Sequence, residues 1–210
     1  MNLPTALTVA RIAATPLVAV LPFANSWTLR LLAFALFLTA AVTDYIDGHL
    51  ARSRKQETDL GRLLDPLADK LLLLGTFVPM LILAPSFPFV TPVGLVGLPW
   101  WIVAVVLGRE LIMTIYRQAA ARRGVVIAAI GPAKWKTAFQ LVWQGSAYFW
   151  FFAATLAGTR GWTTPVWRAF ALFNGSVGTI MMVGAVALTL YSLWLYLRTF
   201  EAVFGTPRGK

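Results

Sequence analysis

The chain has 210 residues, 59% of them hydrophobic and 12% charged. A soluble domain carries roughly 25% charged residues, so this composition excludes an ordinary globular protein, and it excludes disorder because so apolar a chain cannot stay solvated. The formal net charge is +10; its cations fall between apolar stretches, which argues against a nucleic-acid partner and for topology, anionic lipid headgroups or a phosphorylated substrate.

A spanning helix takes about 20 apolar residues, so there is room for roughly six crossings and no separate soluble domain; one integral-membrane domain over 1–210 is expected. The first apolar segment runs from about Leu3 to Phe23 and is interrupted only by Arg11. It lacks a basic n-region and a small-residue cleavage site, so it is expected to be retained. The second runs from about Leu29 to Leu50 and carries Asp44 and Asp47 near its end. From Leu71 to Gly108 there is no charge, but Pro85, Pro88, Pro92, Gly94, Gly97 and Pro99 break the stretch. The pattern predicts a third helix to about Ala84, a short loop, and a fourth helix from about Leu98 into Arg117. A fifth helix is expected from about Lys134 to Ala157. A sixth follows from about Val166 to Leu197, long enough for a tilted or interfacial turn. The fold class is all-α with six transmembrane helices. With no Cys there is no disulfide, thiolate nucleophile or Cys-ligated metal.

Loop charges orient the spans. Arg52, Arg54, Lys55 and Arg62 follow the second helix, and Arg117, Arg122, Arg123, Lys134 and Lys136 surround the loop after the fourth. Arg198, Arg208 and Lys210 lie in the tail, while the opposite side holds only Arg30, Arg160 and Arg168. Twelve against three puts both termini and those two loops of a multi-pass protein in the cytoplasm. Trp27, Trp100, Trp101, Trp162 and Trp167 fall near span ends on the other side, where interfacial aromatics belong.

Six of the eight acids lie between positions 44 and 69. Asp44 and Asp47 are three apart and Asp65 and Asp69 four apart, so each pair faces one way on its helix. A short connection makes those helices antiparallel neighbours, and four carboxylates can converge near the cytoplasmic rim of the hydrocarbon, where they repel and are costly to desolvate. One resolution is a structural network with Arg52, Arg62 and Lys70. The other is metal: oxygen ligands without Cys or a His cluster favour Mg²⁺ or Mn²⁺, and four carboxylates suit two ions, the usual apparatus for displacement at phosphorus. Gly48 and Ala51 follow Asp47, and Gly61 precedes Asp65 by one turn. These small residues serve close helix packing or leave room for a flat base and a pyrophosphate.

Written out, the pattern is Asp44-x2-Asp47-Gly48-x2-Ala51-Arg52-x8-Gly61-x3-Asp65-x3-Asp69. It resembles the full signature of the CDP-alcohol phosphatidyltransferase family, with no position missing. The opening Asn2-Leu3-Pro4-Thr5-Ala6-Leu7-Thr8 with Arg11 is similar to the bacterial phosphatidylglycerophosphate synthase branch of that family. So are Leu64 to Lys70, Gly108-Arg109-Glu110-Leu111-Ile112 with Arg117, and Gly131 to Thr137. The resemblance covers roughly positions 2–140, and the last two helices match only in being apolar. It implies a six-helix, homodimeric membrane enzyme that moves the phosphatidyl group of CDP-diacylglycerol to an alcohol and releases CMP. On that scheme Asp44, Asp47, Asp65 and Asp69 hold two divalent ions, and Asp69 is also the general base. Gly48, Ala51, Arg52 and Gly61 line the cytidine-diphosphate site.

The acceptor is read from the cations. Arg109, Arg117, Lys134 and Lys136 lie on or beside the loop between helices four and five, and Arg109 and Arg117, eight apart, can share a face. Arg109 stands in an apolar stretch where an unpaired cation is costly, and adjacent Glu110 points about 100° away. A phosphate-bearing acceptor gives such cations work, which favours sn-glycerol 3-phosphate over inositol, serine or choline. Phosphatidylglycerol, as in cardiolipin synthesis, or an inositol phosphate are the alternatives within the family. A divalent-cation transporter is the alternative outside it, disfavoured because the acids do not continue across the bilayer.

Overall fold

A computed structural model of the chain describes residues 3–54, 59–124 and 131–204; the side chains of 3–4, 45–54, 59–60, 62–63, 132 and 199–204 lie outside that description. Six helices follow in order: α1 Leu3–Val20, α2 Trp27–Arg54, α3 Asp59–Leu83, α4 Trp100–Arg122, α5 Gly131–Arg160 and α6 Pro165–Phe204. A 3₁₀ turn at Leu21–Phe23 ends α1, and a hairpin of β1 Phe89–Thr91 and β2 Gly94–Val96 precedes α4. Helices α1, α2, α3 and α6 are long and apolar enough to cross a membrane. Helices α4 and α5 have the length but are less apolar: Arg109, Glu110 and Arg117 interrupt α4, and Gln140, Gln144 and Ser146 lie in the charge-free stretch of α5. The protein is a multi-pass membrane protein.

Several helices outrun the apolar stretches that announce them: α2 continues to Arg54, α3 begins at Asp59, and α6 reaches Phe204. Hydrophobicity marks the hydrocarbon thickness, whereas backbone hydrogen bonding carries a helix on through the headgroup zone.

The chain divides into two compact units, Met1–Leu98 with Gln144–Gly178 and Pro99–Trp143 with Thr179–Lys210. In the first unit α1 packs against both α2 and α3. The backbones of α1 and α3 come close where Gly75 faces Thr15: a Cβ on Gly75 would stand 2.9 Å from the Thr15 methyl. Pro79 has no N–H for the carbonyl of Gly75 one turn back, and the buried Tyr148 hydroxyl takes over, its one proton shared between Gly75 O at 3.2 Å and Val18 O at 3.1 Å. Tyr148 stacks on Phe37 with centroids 5.4 Å apart, and Gln144 Nε2 donates to Thr76 Oγ1 at 2.8 Å. These side chains tie α5 to the α1–α3 layer.

The loop expected between the third and fourth helices contains the hairpin. Phe89 pairs with Val96 and Thr91 with Gly94, whose φ of +118° makes the turn. The hairpin lies on α6 where Gly175 and Gly178 give it room: a Cβ would meet Val90 O at 2.0 Å and the Phe89 ring at 2.5 Å. Arg30 is buried at the same end, donating to Pro22 O at 2.9 Å and to Thr155 Oγ1, with its guanidinium 4.6 Å over the Phe87 ring. It staples three segments together as well as counting towards topology.

In the second unit α5 and α6 approach where a Cβ on Gly184 would meet the Phe139 ring at 2.4 Å. Val106, Met113, Trp143 and Tyr196 form its apolar interior, with Arg109, Lys136, Thr189 and Ser192 buried among them.

Candidate functional site

The acid cluster forms in the first unit, where three helices meet. Thr8 and Arg11, three apart on α1, face α2 and α3. Thr8 Oγ1 donates to Asp65 Oδ1 at 2.8 Å. Arg11 Nη1 pairs with Asp44 Oδ1 and reaches Asp69 Oδ1 at 3.4 Å. Asp69 also lies within electrostatic reach of Asp44 and Asp65. Three of the four sequence-selected aspartates are therefore brought together. Asp47, Gly48, Ala51 and Arg52 lie on α2, but their side chains fall outside the described residues. Gly61 sits one turn before Asp65 on α3, half-buried.

Arg11, in the sequence only part of the opening motif, is the residue that ties these acids together. It was detectable as the one charge in the first apolar segment, since a cation at that depth needs a partner. Arg11, not Lys70, makes the described ion pairs to these acids; Lys70 is exposed. The burial is asymmetric. The Arg11 side chain is 2% exposed, while Asp44 and Asp69 keep 51% and 61% of theirs open. The guanidinium is beneath the carboxylates, leaving their outer surface accessible.

That arrangement fits a hard divalent ion. The donors are carboxylate oxygens, each able to accept several bonds, and Arg11 neutralises only part of their charge. Among the described residues no cluster of three or more acids or histidines is tight enough to count as a metal cage by itself. Asp47, the fourth carboxylate of the motif, is outside that set.

The cation set gathers in the second unit. Arg109 Nη1 donates to Glu110 Oε1 at 3.1 Å and Nη2 to Ser192 Oγ at 3.2 Å. Lys136 Nζ pairs with the same Glu110 oxygen. Arg117 donates to Tyr196 Oη at 3.4 Å, and the Tyr196 ring lies 5.9 Å from the Arg109 guanidinium and 5.8 Å from that of Arg117. Lys134 is exposed on α5. Adjacency on a helix does not keep Arg109 from Glu110, contrary to the expectation from Cβ directions: both side chains are long enough to bend together. Arg109 is 6% exposed, and its Nε has no hydrogen-bond partner.

The chain is thus a helical multi-pass membrane protein with an acid cluster held by three helices. The comparisons give the family. A profile of the CDP-alcohol phosphatidyltransferase family matches residues 1–191, and the chain belongs to that family. Its members are generally dependent on divalent metal.

The chain is 36% identical over 149 residues to CDP-diacylglycerol–glycerol-3-phosphate 3-phosphatidyltransferase 2 of Arabidopsis thaliana, covering 68% of this chain and 62% of that one. It is 34% identical over 200 residues to the CDP-diacylglycerol–glycerol-3-phosphate 3-phosphatidyltransferase of Cereibacter sphaeroides, covering 92% and 85%. A cardiolipin synthase (CMP-forming) of Oryza sativa is 31% identical over 206 residues, covering 94% of this chain and 57% of its own length. The match thus spans about three fifths of the two plant relatives and most of the bacterial one.

Proposed function

We propose that the protein transfers the phosphatidyl group of CDP-diacylglycerol to sn-glycerol 3-phosphate, giving phosphatidylglycerophosphate and CMP, with the whole chain acting as one catalytic domain. The observation that carries this reading is the meeting of Asp44, Asp65 and Asp69 over a buried Arg11, in a chain that matches the family over residues 1–191. Asp44, Asp47, Asp65 and Asp69 would hold two Mg²⁺ or Mn²⁺ ions. Four aspartates against one arginine leave three formal negative charges, which two dications convert to one positive charge, suited to a diphosphate. When bound, the ions supply charge neutralisation on the diphosphate and on departing CMP.

The chain's own groups do the rest. Gly48, Ala51, Arg52 and Gly61 would line the cytidine-diphosphate site. Asp69 accepts the proton of the acceptor hydroxyl, because an unactivated alcohol is a poor nucleophile. The acceptor oxygen bonds to the lipid-bearing phosphorus, and the bond from that phosphorus to the bridging oxygen breaks, its electron pair leaving with CMP. Arg109, Arg117, Lys134 and Lys136 would hold the acceptor phosphate. The excess of cations over Glu110 and the buried, unpaired Arg109 Nε support that assignment. The reading includes an inner-membrane location with both termini cytoplasmic, and a homodimer.

The rice relative favours one second reading, phosphatidylglycerol as acceptor. An acceptor panel decides. Purified protein should release CMP from CDP-diacylglycerol only with Mg²⁺ or Mn²⁺ and glycerol 3-phosphate together. Equal release with water or inositol refutes the reading, and release with phosphatidylglycerol alone replaces it.

A further inference from the structure

At the end of the first unit away from the acid cluster, two grooves lie side by side on α5 and α6. Each has a volume of about 610 Å³, within the roughly 300–1,000 Å³ of small-molecule sites. They share Trp162 and Trp167, an edge-to-face pair 5.8 Å apart that forms the ridge between them. The first is floored by small residues including Ala157 and Gly158 and has Arg168 in its lining. The second is lined by apolar side chains such as Phe149, Leu156 and Phe170. Along α2, Asp44 is seventeen residues from Trp27, about 26 Å of helix, and Trp27 lies against Phe152 on α5 with centroids 6.3 Å apart. The grooves therefore open towards the leaflet opposite the acid cluster.

Charge identifies the occupant. The chain has no carboxylate in 1–43, 70–109 or 111–200. Among the described residues Arg160 and Arg168 enter no ion pair, and both are exposed. At a membrane interface the anion available to such a cation is a lipid phosphate, and a charge-assisted bond to it is strong in that setting. We propose that this face binds a two-chain phospholipid, its phosphate on Arg168 and one acyl chain in each groove, with the Trp162–Trp167 ridge between the chains. The site is separate from the acid cluster and takes its lipid from the other leaflet.

The test is native mass spectrometry of the purified full chain released from detergent after incubation with dioleoyl phosphatidylglycerol or dioleoyl phosphatidylethanolamine. Wild type and Asp69→Asn should each retain one phospholipid. Arg168→Gln should retain about tenfold less, as should Gly158→Leu, which puts a branched side chain into the first groove. A Cβ at Gly158 meets nothing within 4 Å, so that variant is expected to fold, with thermal unfolding as the check. Loss with both lipids assigns recognition to the phosphate, and loss with phosphatidylglycerol alone to an anionic headgroup. Equal retention in all four proteins overturns the proposal, as does retention of detergent alone. So does a changed monomer–dimer ratio in Gly158→Leu with lipid retention intact, which would make the face a contact between copies.

Discussion

The two polar clusters are mirror images in charge. In the first unit one buried cation, Arg11, serves two aspartates that stay half in the open. In the second, one carboxylate, Glu110, serves two buried cations, Arg109 and Lys136. Among the described residues each cluster has fewer counter-ions than majority charges, so on the proposed function each would be stabilised by a ligand of the minority sign: a metal ion on the acids, a phosphate on the cations. They differ in depth. The aspartates can be hydrated when empty, whereas Arg109 and Lys136 are nearly sealed from solvent and depend on Glu110 continuously. Substitutions should therefore act mainly on turnover in the first cluster and on affinity and stability in the second.

The largest effect is expected at Asp69. Replacing it with Asn keeps the shape and removes the charge and the proton acceptor that the proposed function assigns to it. CMP release should fall by roughly 10³-fold, within the range for a lost general base, while the protein remains extractable and folded. Near wild-type turnover in that variant would move the base elsewhere. Next come Arg109→Ala and Arg117→Ala. A charged hydrogen bond is worth roughly 1.5–3 kcal/mol, so each should raise the acceptor KM about tenfold to a hundredfold with kcat little changed. Unaltered acceptor kinetics in both would remove the phosphate role from this cluster.

How much of this was legible depends on the range of the interaction. Six helices and the face-sharing of Asp65 with Asp69 follow from periodicity and apolar length, which are local. The hairpin at 89–96 did not follow: its strands have three residues each, too short for a pattern, and Pro92 and Gly94 read equally well as loop. The role of Arg11 was half visible. Its isolation in an apolar segment demanded a counter-ion, but which acids answer depends on α1 packing against both α2 and α3, which no local pattern encodes. The Arg109–Glu110 pair was hidden by reasoning from Cβ direction alone, where side-chain length decided the outcome.

The difference in depth can be tested by removing each lone counter-ion. Glu110→Gln leaves Arg109 and Lys136 buried without a charge partner. Breaking a buried pair costs about 3–5 kcal/mol, and Glu110 itself is 30% exposed, so a loss of about 2–4 kcal/mol is expected. Inorganic phosphate should recover part of it and Mg²⁺ none, read as thermal unfolding in detergent.

Arg11→Gln is the smaller case. Arg11 itself is sealed, but the aspartates left behind are more than half exposed, so water and salt screen most of their repulsion and the loss should be only about 1–2 kcal/mol. Here Mg²⁺ should restore stability and phosphate should not, because the surplus left behind is negative. The stabilisation by Mg²⁺ should also be larger than in wild type, since Arg11 no longer neutralises part of the charge that attracts the ion. If the two variants respond alike to both ions, the clusters are ordinary structural networks and the assignment of opposite ligands to them fails. If they respond in opposite directions, the sign of each ligand is fixed independently of any measurement of turnover.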